Sequence, residues 1–102
     1  QNEIKNLVTE NKVVVFMKGT PEAPQCGFSA QTVKCLNAAG ASIVSVDVYA
    51  RPEMRDGVKQ FTNWPTLPQV FIKGEFVGGC DIVTELYQRG ELKQMVDEAL
   101  KN

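Results

Sequence analysis

The run Val13-Val14-Val15-Phe16-Met17 restricts the fold more than any other stretch of this chain. Five consecutive apolar residues, led by three valines, have no polar face to show to water. Lys12 to Met17 therefore reads as a central strand covered on both sides. Residues 1–102 have room for one domain, and at this length most of the surface that an unfolded chain exposes can be buried.

The segments around that strand carry shorter periods. Ile4, Leu7 and Val8 recur at helical spacing, which predicts an amphipathic helix over about residues 2–11. Gly19 to Gln25 holds Pro21 and Pro24 and reads as loop. From Cys26 to about Ala39, the residues Phe28, Thr32, Cys35, Leu36 and Ala39 fall on one helical face, and Gly40 stops the helix. A second strand over Ile43 to Val48 follows, with Ile43, Val44, Val46 and Val48 as its apolar side chains. Pro52 to Phe61 is expected to be helical, with Met54, Val58 and Phe61 inward. Pro65 and Pro68 break the chain before a third strand, Gln69 to Ile72. Lys73-Gly74-Glu75 turns into a short fourth strand, Phe76-Val77, which ends at Gly78-Gly79. Two helical patterns split by Gly90 complete the order α-β-α-β-α-β-β-α-α. The first two strands can be parallel through a right-handed crossover and the last two form a hairpin. That order is the thioredoxin-like α/β plan.

Composition narrows the function. Hydrophobic content of 43% with 23% charged residues is ordinary for a globular chain. A net charge of −1 gives no reason to expect nucleic acid or an anionic membrane surface as partner. No apolar run approaches the ~20 residues of a membrane span. Three cysteines are an odd number, so a disulfide framework is not expected, and reduced thiols fit better. There is no histidine, which removes the commonest general base and the commonest metal ligand. A single chain also lacks the four cysteines that would hold an iron–sulfur cluster unaided. The chain begins at Gln1 without methionine, which is read as a removed leader or a trimmed end.

Cys26 follows a strand and a loop and opens a helix, where free N–H groups and the helix dipole stabilise a thiolate. Ser29 stands where the second cysteine of a Cys-x-x-Cys pair would be, so Cys26 must find any partner sulfur elsewhere. Lys18, at the end of the first strand, is placed to bring a cation near it. The plain alternative is an unreactive loop thiol and a solvated lysine. Cys35 lies about 13.5 Å along the same helix from Cys26, beyond the roughly 7 Å Cα separation a disulfide tolerates, and reads as a core thiol. Gly78-Gly79-Cys80-Asp81 is a strand end meeting a helix start. Its N–H groups could hold a carboxylate and Asp81 an ammonium, or Asp81 could simply cap the helix and Cys80 fill space. A cis Leu67–Pro68 bond would free the backbone of Leu67 to pair with an extended peptide. Arg55 and Lys59, at i and i+4 of the third helix, either reach a carboxylate there or form a solvated face.

Lys18-Gly19-Thr20, Cys26-Gly27-Phe28-Ser29, Trp64-Pro65-Thr66, Pro68-Gln69 and Gly78-Gly79-Cys80-Asp81 stand together in one order and spacing. In these motifs, over nearly its whole length, the chain resembles the monothiol glutaredoxins of the CGFS type. The resemblance implies a thioredoxin-like fold with a four-stranded mixed sheet, about five helices and a cis bond at Pro68. It implies a glutathione site of Lys18, Cys26, Phe28, Arg55, Lys59, Leu67, Cys80 and Asp81. There the tripeptide pairs with the Leu67 backbone, its glycine carboxylate facing Lys18, Arg55 and Lys59 and its γ-glutamyl end facing Cys80 and Asp81. It further implies a [2Fe–2S] cluster bridging a homodimer, with Cys26 of each subunit and two glutathiones as ligands. Partners would be BolA-like proteins and apo iron–sulfur acceptors. The alternative it offers is a glutathione-dependent thiol–disulfide oxidoreductase with Cys26 as catalytic nucleophile, a reaction at which the family is poor. Among family members the mitochondrial matrix is the expected location, with a bacterial cytoplasm or a plastid behind it.

Overall fold

A computed structural model describes residues 2–101. Among these the chain forms, in order, α1 (Asn2–Glu10), β1 (Val13–Met17), β2 (Gly19–Thr20), β3 (Ala23–Pro24), α2 (Gly27–Ala38), β4 (Val44–Asp47), α3 (Pro52–Thr62), β5 (Gln69–Ile72), β6 (Glu75–Gly78), α4 (Cys80–Gln88) and α5 (Glu91–Leu100). The main sheet has the strand order β4-β1-β5-β6. β1 runs parallel to β4, with Val14 opposite Val44 and Phe16 opposite Val46. It runs antiparallel to β5, with Val14 opposite Phe71, and β5 and β6 form the expected antiparallel hairpin.

All five residues of β1 are buried, because the sheet has a core on each face. Val14 and Phe16 point into one, with Ile4 and Val8 of α1, Met54 and Val58 of α3, and Phe71. Val13, Val15 and Met17 point into the other, with Leu36 of α2, Val83 of α4, and Leu92 and Val96 of α5. The alternation along one strand thus sorts its side chains into two layers. Burying each aliphatic side chain contributes about 1.5–3 kcal/mol before the entropy of ordering is subtracted. Phe71 adds ring contacts to Phe16 at 5.7 Å and Phe76 at 5.4 Å between centroids.

The thioredoxin-like plan holds, and four local expectations are corrected. The loop after β1 contains a small hairpin, β2 with β3, in which Gly19 pairs with Pro24 and Thr20 with Ala23; two-residue strands carry no period. β4 is an edge strand, so Val44 is exposed rather than packed. Phe61 lies at the surface, its ring 6.0 Å from that of Phe71. Phe28 shares the phase of Thr32 and Cys35 but sits on the first turn of α2, beyond the edge of the core, and is 65% exposed.

Candidate functional site

The site is built where β1 ends and α2 begins. Gly19 has φ +91°, and a Cβ there would stand 2.6 Å from the carbonyl oxygen of Ala23. Only glycine meets both demands. The chain then doubles back, and the N–H of Gln25 donates to the carbonyl of Lys18 at 2.8 Å. This brings Cys26 to the N-cap of α2 in an extended conformation, φ −152° and ψ 155°. Its sulfur takes the place of the usual capping oxygen and accepts the N–H of Ser29 at 3.3 Å.

Ser29 is fully buried beneath it. Its hydroxyl accepts the backbone N–H of Lys18 at 3.2 Å and lies 3.3 Å from Cys26 Sγ. With Lys18 on the oxygen's lone pair, the hydroxyl proton is free for sulfur. The thiol donates to Ser29 Oγ, and once the thiolate forms Ser29 donates to it. Burial pushes the Cys26 thiol up. The Ser29 hydroxyl, the N–H groups of Ser29 and Phe28, and the charge of Lys18 together outweigh burial and hold it below the ordinary cysteine value. Cys26 is half-exposed, so this sulfur is both activated and reachable.

Beside it opens a cavity of about 420 Å³. Lys18, Phe28, Lys59, Leu67, Cys80 and Asp81 all line it, so the fold draws six of the eight candidate residues to one place. Lys18 and Lys59 bring positive charge to its wall and Asp81 negative charge. The Leu67–Pro68 peptide is cis. The side chain of Leu67 is buried, while its backbone N–H and C=O have no hydrogen-bond partner among the described residues. Of the other two candidates, Cys26 stands next to Phe28 but is not part of the wall. Arg55 is also outside it, exposed and 3.6 Å from its neighbour Asp56.

Cys80 is the first residue of α4 and Gly79 is its N-cap, so Asp81 does not cap the helix. Gly79 packs closely: a Cβ there would lie 3.1 Å from the carbonyl oxygen of Pro68, which would have to give by a few tenths of an ångström. Cys35 is buried, as its helical phase predicts, and its sulfur lies 3.9 Å from Thr84 Oγ1. Cys80 Sγ is also 3.9 Å from that hydroxyl. None of the three cysteines is in a disulfide.

Two residues of the quoted motifs have roles that the motifs alone do not state. Ser29 looks like a missing cysteine, and its role depends on Lys18, eleven positions earlier. Gln69 is fully buried and donates to the carbonyls of Trp64 and Thr66 at 3.0 and 3.1 Å, while Thr62 Oγ1 donates to its Oε1 at 2.8 Å. It thereby fixes the Trp64–Thr66 segment that forms part of the cavity wall. A glutamine opening an apolar strand was the available signal.

A family model described as Glutaredoxin matches residues 13–77, from the start of β1 into β6. The chain belongs to the glutaredoxin family. This glutaredoxin is 57% identical over 97 residues to a monothiol glutaredoxin of Synechocystis described as uncharacterized and ycf64-like, covering 95% of this chain and 91% of that one. Its fold superposes on the solution structure of reduced poplar apo GrxS14 with a TM-score of 0.84, at 44% identity, covering 99% of this chain and 93% of the other. It also matches a buckwheat glutaredoxin–glutathione complex with a TM-score of 0.84 at 30% identity, covering 96% and 87%. As a monothiol glutaredoxin it has Ser29 in the position of the second active-site thiol.

Proposed function

We propose that this glutaredoxin binds glutathione in the Lys18–Asp81 cavity and carries a [2Fe–2S] cluster bridged between two subunits for delivery to acceptor proteins. The observation that carries this reading is the solitary activated thiol. Cys26 is half-exposed, held toward its thiolate and denied a neighbouring cysteine by Ser29. Among the described residues no group of three or more cysteine, aspartate or glutamate side chains could hold a metal ion. A cluster needing four thiolates must then take the others from outside the chain. A second subunit and two glutathiones complete the count.

The cavity fits that role. The free N–H and C=O of Leu67 offer an extended peptide one donor and one acceptor, respectively. Lys18 and Lys59 suit a carboxylate, and Asp81 suits the ammonium at the other end of the tripeptide. The buckwheat relative supports glutathione as the ligand, since its structure is described as a glutathione complex. BolA-like proteins are the proposed alternative subunit in a mixed dimer, and the acceptors are apo iron–sulfur proteins.

Anaerobic reconstitution with iron, sulfide and glutathione is expected to give a coloured dimer with visible absorption bands, and omission of glutathione is expected to abolish them. A colourless monomer with glutathione present would sink the carrier reading.

The lowered pKa of Cys26 favours a second activity at the same sulfur. The thiolate attacks a protein–glutathione mixed disulfide, releasing the protein thiol. Cys26 then carries the glutathione until a second glutathione thiolate displaces it as glutathione disulfide.

A further inference from the structure

Asp47 lies at the end of β4, half-buried and outside the cavity wall. Its Oδ1 accepts two backbone N–H groups, that of Gly19 at 3.0 Å and that of Tyr49 at 2.9 Å. The parallel ladder between β1 and β4 ends at the pair Met17–Asp47, and the N–H of Val48 closes it on the carbonyl of Met17 at 2.8 Å. Gly19 is thus past the last backbone partner that β4 can offer. Its positive φ turns the peptide away from the strand direction, and the carboxylate supplies the acceptor the ladder no longer provides.

We propose that Asp47 is a positioning residue for this site, its Oδ1 fixing the Lys18–Gly19 segment so that Lys18 meets both the cavity and Ser29. The segment is pinned on two sides. The N–H of Lys18 goes to Ser29 Oγ at 3.2 Å, and the next N–H along, that of Gly19, goes to Asp47. One residue therefore has its amide under Cys26 and its side chain on the cavity wall, and the adjoining peptide is tied to the sheet edge. Releasing Gly19 lets Lys18 shift relative to both. The role asks for an oxygen at one place and not for a negative charge. A neutral amide oxygen at the same reach serves as well, whereas a carboxylate one methylene further out does not. The ligand named in the test rests on the glutathione reading above.

Asp47→Asn and Asp47→Glu separate these cases, with glutathione affinity by calorimetry and the rate of iodoacetamide alkylation at Cys26 read by peptide mass spectrometry at one fixed pH. Losing one hydrogen bond to the Gly19 N–H predicts that Asp47→Glu weakens glutathione about tenfold and slows alkylation several-fold, while Asp47→Asn stays within about twofold of the natural protein on both. Faster amide exchange at Gly19 in Asp47→Glu alone is the expected companion signal. Natural affinity and alkylation in Asp47→Glu, or equal damage in both variants, overturns the proposal. If the natural protein binds no glutathione, the function proposed above fails, and the alkylation rates still decide the role of Asp47.

Discussion

Ser29 shows how much one hydroxyl does here. It is fully buried, receives the N–H of Lys18, and faces a sulfur that alternates between donor and acceptor. Ser29→Ala removes that donor and keeps the helix. The midpoint of the pH profile for Cys26 alkylation is expected to rise toward the ordinary value of about 8.5; an unmoved midpoint refutes the role. The sign extends to stability. The folded pKa of Cys26 is depressed, so its contribution is fully present above the unfolded pKa of about 8.5 and is lost as pH falls through the folded value. Half-exposure of the thiol keeps that contribution small. The place of Cys26 at a helix start was legible in the sequence. The hydroxyl beneath it was not, because a single polar residue carries no period and its partner comes from another element.

At the scale of elements, α2 does two jobs. Its first turn handles the sulfur, and its later turns, through Val33, Leu36 and Ala39, lie against the core formed with β1 and α5. Leu36 is fully buried. Leu36→Ala is expected to cost about 2–5 kcal/mol in urea denaturation, while leaving the alkylation midpoint of Cys26 where it was. A shifted midpoint would show that the two jobs are not separate. The same division explains which elements could be read in the sequence. Wherever a helix or strand packs over its whole length, as β1 and α5 do, its apolar period marks it. Where packing stops partway, the period misleads: Phe28 keeps the phase of the core yet stands outside it. Val44 shows the strand counterpart, an apolar residue on an edge with nothing laid over it. The β2–β3 hairpin is set by loop closure, by Gly19 and by Asp47, none of which leaves a repeating pattern.

Across the whole molecule, the three thiols have three different surroundings. Cys26 is reachable and activated, Cys80 lines the cavity, and Cys35 is inside the core. Cys26→Ser is therefore expected to abolish cluster assembly and Cys35→Ser to leave it intact, read by absorption after reconstitution. Equal loss in both would refute the separation. The strand order places the end of β1, the start of α2, the start of α4 and the approach to β5 at one end of the sheet. The cavity and Cys26 are there, and the helices that cover the two faces contribute mainly packing away from it. On that division, descendants of such a chain can vary in two ways. Substitutions along the covered faces change how long the protein survives, and substitutions at the one shared end change what it recognises. New specificity can then arise without re-solving the problem of folding.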